Sequence, residues 1–223
     1  MTKWLRKHNF SYKKSRAVPA KADARAQEAF VADYNALKNS IENEPIYFVD
    51  SVHPRHQTKL AYGWIFKGSQ KSVATTGRQF RVNMIGGINL DGHKICYEIV
   101  DHVNADAIAL FLTNLRKKHP NQKAVHVIWD NAGYHRDHRI LEYADAIGIQ
   151  LHNLPPYSPN LNPIERLWKI MHESVTYNQY YETFEEFKSA VIGFIKKIGR
   201  KKSVLRKRIT DKFNILQSPI LAS

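Results

Sequence analysis

From residue 44 to about residue 175, short apolar runs alternate with stretches whose apolar residues recur at helical spacing. Few architectures accept that alternation. Ile46-Tyr-Phe-Val-Asp50 is an apolar run closed by a carboxylate. Tyr62–Phe66 and Phe80–Leu90 read as further strands, and Asp91-Gly92 marks a tight turn before His93–Val100, the signature of a hairpin. Asn104 suits the cap of a helix that buries Ile108, Phe111, Leu112 and Leu115. Ala124–Asp130 is a second buried strand ending in Asp. A helix over Arg136–Ile147 follows, stopped by Gly148 before a strand over Ile149–Leu154. Antiparallel strands followed by strand–helix–strand units call for a mixed sheet with helices on its faces. The fold class is α/β.

The flanks differ in composition. Residues 1–43 open with basic side chains, among them Lys13, Lys14 and Arg16, and continue into a helix carrying Phe30, Val31, Tyr34 and Leu37. That region is too short and polar for a core of its own. Residues 44–176 hold the alternating pattern. Residues 177–223 begin near a capping box, Thr183-Phe-Glu-Glu186, whose helix presents Phe187, Val191, Phe194 and Ile198. A basic run follows through Arg200, Lys201, Lys202, Arg206, Lys207 and Arg208.

Charge narrows the partners. Lys and Arg number 34 against 20 Asp and Glu, a formal net charge of +14. Such an excess favours polyanions through phosphate contacts and counterion release. The basic tail fits a DNA backbone and fits equally a solvated helix or a free end. The single cysteine, Cys96, excludes an internal disulfide framework and any cysteine-rich zinc site. His53/His56 and His135/His138 lack further ligands at finger-like spacing. Gly86-Gly87 lacks the spaced glycines of a phosphate loop and suggests a bulge or close packing. With no apolar run near the roughly 20 residues of a membrane span and no secretory leader at its start, the chain is expected to be cytoplasmic, with no membrane partner.

Three acidic residues attract attention, each with two readings. Asp50 and Asp130 end apolar strands, the edge at which open α/β sheets bind ligands, yet Asp there also serves as a turn former. In Asn162-Pro-Ile-Glu165, Asn162 suits a helix cap, Pro163 the first helical position and Glu165 the third, so Glu165 could simply cap. It nevertheless lies off the buried stripe of Ile164, Leu167, Trp168 and Met171. The segment from Pro155 to Pro163 either presents Glu165 rigidly or is a surface loop.

The surrounding motifs separate these readings. Tyr47-Phe-Val-Asp50, Trp129-Asp-Asn-Ala-Gly-Tyr-His135 and Leu154-Pro-Pro-Tyr-Ser-Pro-Asn-Leu-Asn-Pro-Ile-Glu-Arg-Leu-Trp168 occur in order, with 34 residues between Asp130 and Glu165. The chain thereby resembles the mariner-like superfamily of DDE transposases, in its bacterial insertion-sequence branch, over about residues 44–190. Ser51 stands where many relatives have Glu, outside the three acidic positions.

The resemblance implies a ribonuclease-H-like five-stranded sheet with helices on both faces. It places Asp50 on the first strand, Asp130 after the fourth and Glu165 on a later helix. These three are then the catalytic and metal-binding residues. Carboxylates about 4 Å apart repel by about 4 kcal/mol at an effective dielectric near 20, so clustering them calls for cations. All-oxygen donors suit Mg²⁺ or Mn²⁺, and two such ions can serve phosphodiester cleavage. The implied activity is metal-dependent strand cleavage at transposon ends and strand transfer to target DNA, commonly at TA. Alternatives are a purely hydrolytic nuclease of the same fold and a silent DNA-binding or inhibitory fragment. Asn131 and His135 are expected to orient Asp130 or touch DNA, Asn131 being equally suited to capping. Implied partners are double-stranded DNA, a second copy in a synaptic dimer, and a separately encoded helix-turn-helix part. The start at Trp4-Leu-Arg-Lys resembles only the stretch that follows such a module, as in a second reading frame, a frameshift fusion partner or a decayed copy. A nucleoid association goes with that reading.

Overall fold

The run Ile46–Val52 becomes the central strand, β1, with its two faces buried under separate layers of helices. The computed structural model describes residues 2–12, 18–132 and 137–217. Within them β1 is joined by β2 (Asn83–Asn89), β3 (Lys94–Val100), β4 (Val125–Trp129) and β5 (Ile149–Asn153), in the spatial order β3-β2-β1-β4-β5. β1–β2 and β2–β3 pair antiparallel, while β1–β4 and β4–β5 pair parallel. The hairpin reading of Asp91-Gly92 holds: Gly92 takes φ 74°, and β2 returns directly as β3.

Helices are α1 (Thr2–Lys7), α2 (Ala24–Ser40), α3 (Ala105–Lys117), α4 (His138–Ala146), α5 (Ile164–Met171), α6 (Phe184–Ile198) and α7 (Lys202–Arg208). Strand side chains alternate between two cores, as the two-residue period requires. Phe48, Ile88 and Ile128 face α2, α5 and α6, packing with Tyr34, Leu167, Trp168, Phe187 and Val191. Tyr47, Val49, Ile85, Val127 and Trp129 face α3 and α4, against Ile108, Phe111, Leu112 and Ile140. Burial on both faces explains why β1 and β4 are continuous apolar runs rather than alternating ones.

The caps expected at Asn104 and Thr183 form. Asn104 accepts from the Ala107 amide at 2.9 Å, and Thr183 and Glu186 make a reciprocal capping box. Arg136, expected to open the fourth helix, lies outside the described residues; the helix starts at His138 behind Asp137, which accepts from the Arg139 amide at 3.0 Å. The expected strand over Tyr62–Phe66 is absent. Residues 60–80 carry neither helix nor strand, and Tyr62, Trp64 and Phe66 stand out into solvent. Apolar alternation gives a strand only where a neighbouring strand supplies hydrogen-bond partners, and this segment pairs with none of the five strands. The Asn178 side chain satisfies the backbone of Ala61 instead, accepting from its N–H and donating to its C=O, both at 3.0 Å. Among the described residues no helix is long and apolar enough to cross a membrane.

Two distant segments join the α5 side of the core. Gln27 of α2 is buried and bonds both backbone groups of Leu216 in the C-terminal tail. Its side-chain carbonyl also accepts from the Asn160 side chain at 2.8 Å, within the 3₁₀ turn Pro159–Leu161 that leads into α5. The approach to Glu165 is thus held from outside the sheet.

Candidate active site

β1 and β4 bring Asp50 and Asp130 level with each other. Phe48 pairs with Ile128 in parallel register, and two further residues along each strand are Asp50 and Asp130. Neighbouring strands lie about 4.8 Å apart. Asp50 and Asp130 share the parity of Phe48 and Ile128, so both carboxylates belong to the α5 face. Asp130 ends the strand in a local turn, accepting from the Ala132 amide at 3.0 Å. Asn131 beside it donates to the Leu154 carbonyl at 2.6 Å, joining the ends of β4 and β5.

Glu165 arrives from the first turn of α5. Asn162, not Glu165, serves the helix start: its Oδ1 accepts from the Ile164 amide at 3.4 Å while its Nδ2 donates to the Val49 carbonyl at 3.2 Å. One side chain therefore fixes the head of α5 against the residue preceding Asp50. A second tie lies one turn on, where the Trp168 indole N–H donates to Asp50 Oδ2 at 3.1 Å. The indole reaches Asp50 because Gly86, the cross-strand partner of Asp50, has no side chain; a Cβ there would stand 2.4 Å from Trp168 Cη2. The close packing anticipated at Gly86-Gly87 is this contact.

Asp50, Asp130 and Glu165 line one open cleft of about 360 Å³, walled by Asn131, Asn162 and the loop from Leu154 to Pro159. Tyr157 in that loop, which also lines the cleft, adopts φ 57°. Burial pushes the Asp50 carboxyl up to about 7, with Glu165 and then Asp130 adding repulsion, while the Ser51 amide and the Trp168 indole work against the rise. Glu165 sits at the solvent-exposed rim, yet the protein mass around its carboxyl raises its pKa, and Asp130 raises it further. Three acids thus share one cleft and oppose one another's ionisation. A cation would remove that conflict.

Carboxylate oxygens facing a wet cleft match hard divalent cations. Among the described residues no three His, Cys, Asp or Glu side chains stand close enough to share a single ion. Mg²⁺ takes one or two carboxylates and completes its shell with water and substrate phosphate. The donor set fits.

The remaining expected site residues fall elsewhere. Lys13, Lys14, Arg16 and His135 lie outside the described residues. None of the basic residues from 200 to 208 lines the carboxylate cleft. Within it Arg200, Lys201, Arg206 and Lys207 are exposed, Lys202 donates to the Gly92 and His93 carbonyls at 2.8 and 2.6 Å, and Arg208 forms a two-pronged pair with Glu173. Trp168 and Gly86 were not singled out for the site from sequence. The available signal was chemical: a buried tryptophan needs an acceptor for its N–H.

Comparison with known proteins follows the same geometry. Residues 45–188 match the family model described as DDE superfamily endonuclease, and residues 1–34 match one described as winged helix-turn helix. The curated insertion element IS630 uncharacterized 39 kDa protein of Shigella sonnei is 21% identical over 198 residues, 88% of this chain. The chain spans 58% of that relative's length. A solved Mos1 transposase paired-end complex with the left transposon end superposes with a TM-score of 0.64 at 20% identity, covering 93% of this chain and 67% of the other. The mariner Mos1 paired-end complex with Mg gives 0.64 at 22% identity, with the same coverage. The mixed five-stranded sheet is the ribonuclease-H-like fold of those catalytic domains.

Proposed function

The chain belongs to the DDE superfamily endonucleases, and from that premise we propose that Asp50, Asp130 and Glu165 are its catalytic carboxylates in cut-and-paste DNA transposition. They would hold two divalent cations, Mg²⁺ or Mn²⁺, whose chemistry there would be activation of the attacking hydroxyl and stabilisation of the leaving oxygen of a phosphodiester. The reaction is hydrolytic strand cleavage at transposon ends, then attack of the freed 3′-hydroxyl on a target phosphodiester at TA, which joins the two strands and releases the target's own 3′-hydroxyl. The observation that carries this reading is the register of β1 and β4, which sets Asp50 level with Asp130 on the face that α5 covers with Glu165.

The chain's own residues prepare the site. Asp50, pushed up to about 7, would have to give up its proton to hold a cation. Trp168 keeps Oδ2 of Asp50 turned toward α5, and Asn162 prevents α5 from sliding along β1. Asn131 holds the loop after Asp130 against the end of β5. The partners are duplex DNA, a second copy that pairs two ends, and helix-turn-helix units that recognise them. The place of action is the cytoplasm, at the nucleoid.

The test is Asp130→Asn. The variant loses Mg²⁺-dependent nicking of plasmid DNA and keeps salt-sensitive duplex binding. Nicking at the wild-type rate removes Asp130 from the mechanism. Joining of a pre-cleaved 3′ end to a second duplex separates strand transfer from simple hydrolysis.

A further inference from the structure

At the other end of the sheet lies a second charged surface. Tyr47, Asn89 and Lys94 form one cross-strand row, and Asp50, Gly86 and Tyr97 form another three residues further on. The rows are about 10 Å apart along the strands. Around the first row, at the β3 edge, a cleft of about 420 Å³ opens between the C-terminal end of α3 and the α6–α7 junction. Four lysines converge on it from four parts of the chain: Lys94 from β3, Lys118 just after α3, Lys196 from α6 and Lys202 from α7. No Asp or Glu is among the described residues that line it.

The convergence leaves electrostatic marks. Burial lowers the His119 pKa, and Lys94, Arg116 and Lys118 lower it further. Lys202 is likewise lowered, by burial, Arg206 and Lys94. Lys94 thus opposes charge on both walls. The floor is fixed: the Tyr47 hydroxyl and His119 Nε2 are 2.9 Å apart, and Lys202 is tied to the Gly92 and His93 carbonyls. Lys94, Lys118 and Lys196 remain exposed. Like charges gathered on rigid elements cost stability, and the acidic side chains nearby, Glu44, Asp91 and Asp211, line the adjoining cleft that shares Lys94 and His119 rather than this one. An anion of repeating charge offsets that cost.

We propose that this lysine-lined cleft at the β3 edge is a second DNA-backbone contact surface, separate from the carboxylate cleft, engaging phosphates of a duplex without reading its bases. The proposal rests on the reading that this chain acts on DNA. Lysines set singly on four elements present point charges rather than the planar forks that read base edges, so the contact is indifferent to sequence.

The test is equilibrium binding of a fluorescent duplex of arbitrary sequence to the full chain in EDTA, across a salt series. Each phosphate contact adds about 0.9 to the slope of log K against log salt. The triple variant Lys94→Gln, Lys118→Gln, Lys196→Gln is expected to lose about 2.7 from the slope. Between about 50 and 200 mM salt, wild type then loses roughly 40-fold more affinity than the variant. The matching triple Arg variant keeps the wild-type slope, which excludes misfolding as the cause. A Gln variant with the wild-type slope overturns the proposal. So does a poly-glutamate peptide that binds wild type and not the Gln variant while duplex binding is unchanged, since the surface then serves an acidic protein. Absence of salt-dependent duplex binding by wild type refutes the DNA reading itself, a result distinct from either.

Discussion

Replacing Gly86 by alanine tests whether the indole of Trp168 holds Asp50 in place. The added methyl would stand 2.4 Å from Trp168 Cη2 and 2.8 Å from Cζ2, with Ile164 Cδ1 at 3.5 Å behind. Ordinary contact requires a retreat of roughly 1 Å or more by a ring packed on all sides. The Trp168–Asp50 bond is 3.1 Å, and a retreat of that size carries it beyond the length at which a hydrogen bond counts, about 3.6 Å. Overpacking of this kind costs about 1–3 kcal/mol. For a domain of this size that lowers Tm by roughly 2–12 °C. Metal-dependent nicking falls as well, because Asp50 loses a bond favouring its charged form. Thermal unfolding and plasmid nicking are measured on Gly86→Ala, Trp168→Phe and the double variant. Phenylalanine is smaller, so the double variant regains stability relative to Gly86→Ala. It does not regain activity, since no donor reaches Asp50. A Gly86→Ala protein that melts and nicks like wild type refutes the packing argument, and a double variant with full activity refutes the role of the indole.

Other expectations follow from the same cleft. Asp50 titrates near 7 against an ordinary 3.8, so the metal-free folded protein binds more protons than the unfolded chain between those values. Its stability therefore falls as pH rises through that window, by about 4 kcal/mol from this group, and Asp50→Asn flattens the profile in denaturant titrations. Apparent Mn²⁺ affinity changes the opposite way, rising about tenfold per pH unit until about pH 7; calorimetry that finds it constant from pH 5 to 7 contradicts the assignment of the proton. Asn162→Ala frees the head of α5 from Val49 and loses about 1–3 kcal/mol, with weakened Mn²⁺ binding; unchanged metal affinity assigns Asn162 to stability alone.

The sheet was legible because each strand carries its own signal. β1 and β4 are apolar runs, β2 and β3 are joined by Asp91-Gly92, and the helices between them announce their caps at Asn104 and Thr183. The apolar alternation at Tyr62, Trp64 and Phe66 gave a false strand, since residue pattern records side-chain sidedness and says nothing about whether a neighbouring strand pairs with the segment. The location of Asp50 and Asp130 at strand ends was also legible, while their equal height depends on the β1–β4 register, which no local pattern encodes. Trp168 and Gly86 were invisible as a pair. Both look like core residues, and their link to Asp50 exists only once α5 lies across β1 and β2. The lysine cleft is equally non-local, drawn from residues 94, 118, 196 and 202.

Whether three acids gather around divalent cations is measured most directly by counting bound Mn²⁺ by paramagnetic resonance, with a duplex present to supply phosphate ligands. Wild type is expected to take up about two ions per chain, and Asp130→Asn to lose at least one while remaining folded. Equal Mn²⁺ uptake by the two proteins, or none by wild type at saturating metal, contradicts the account.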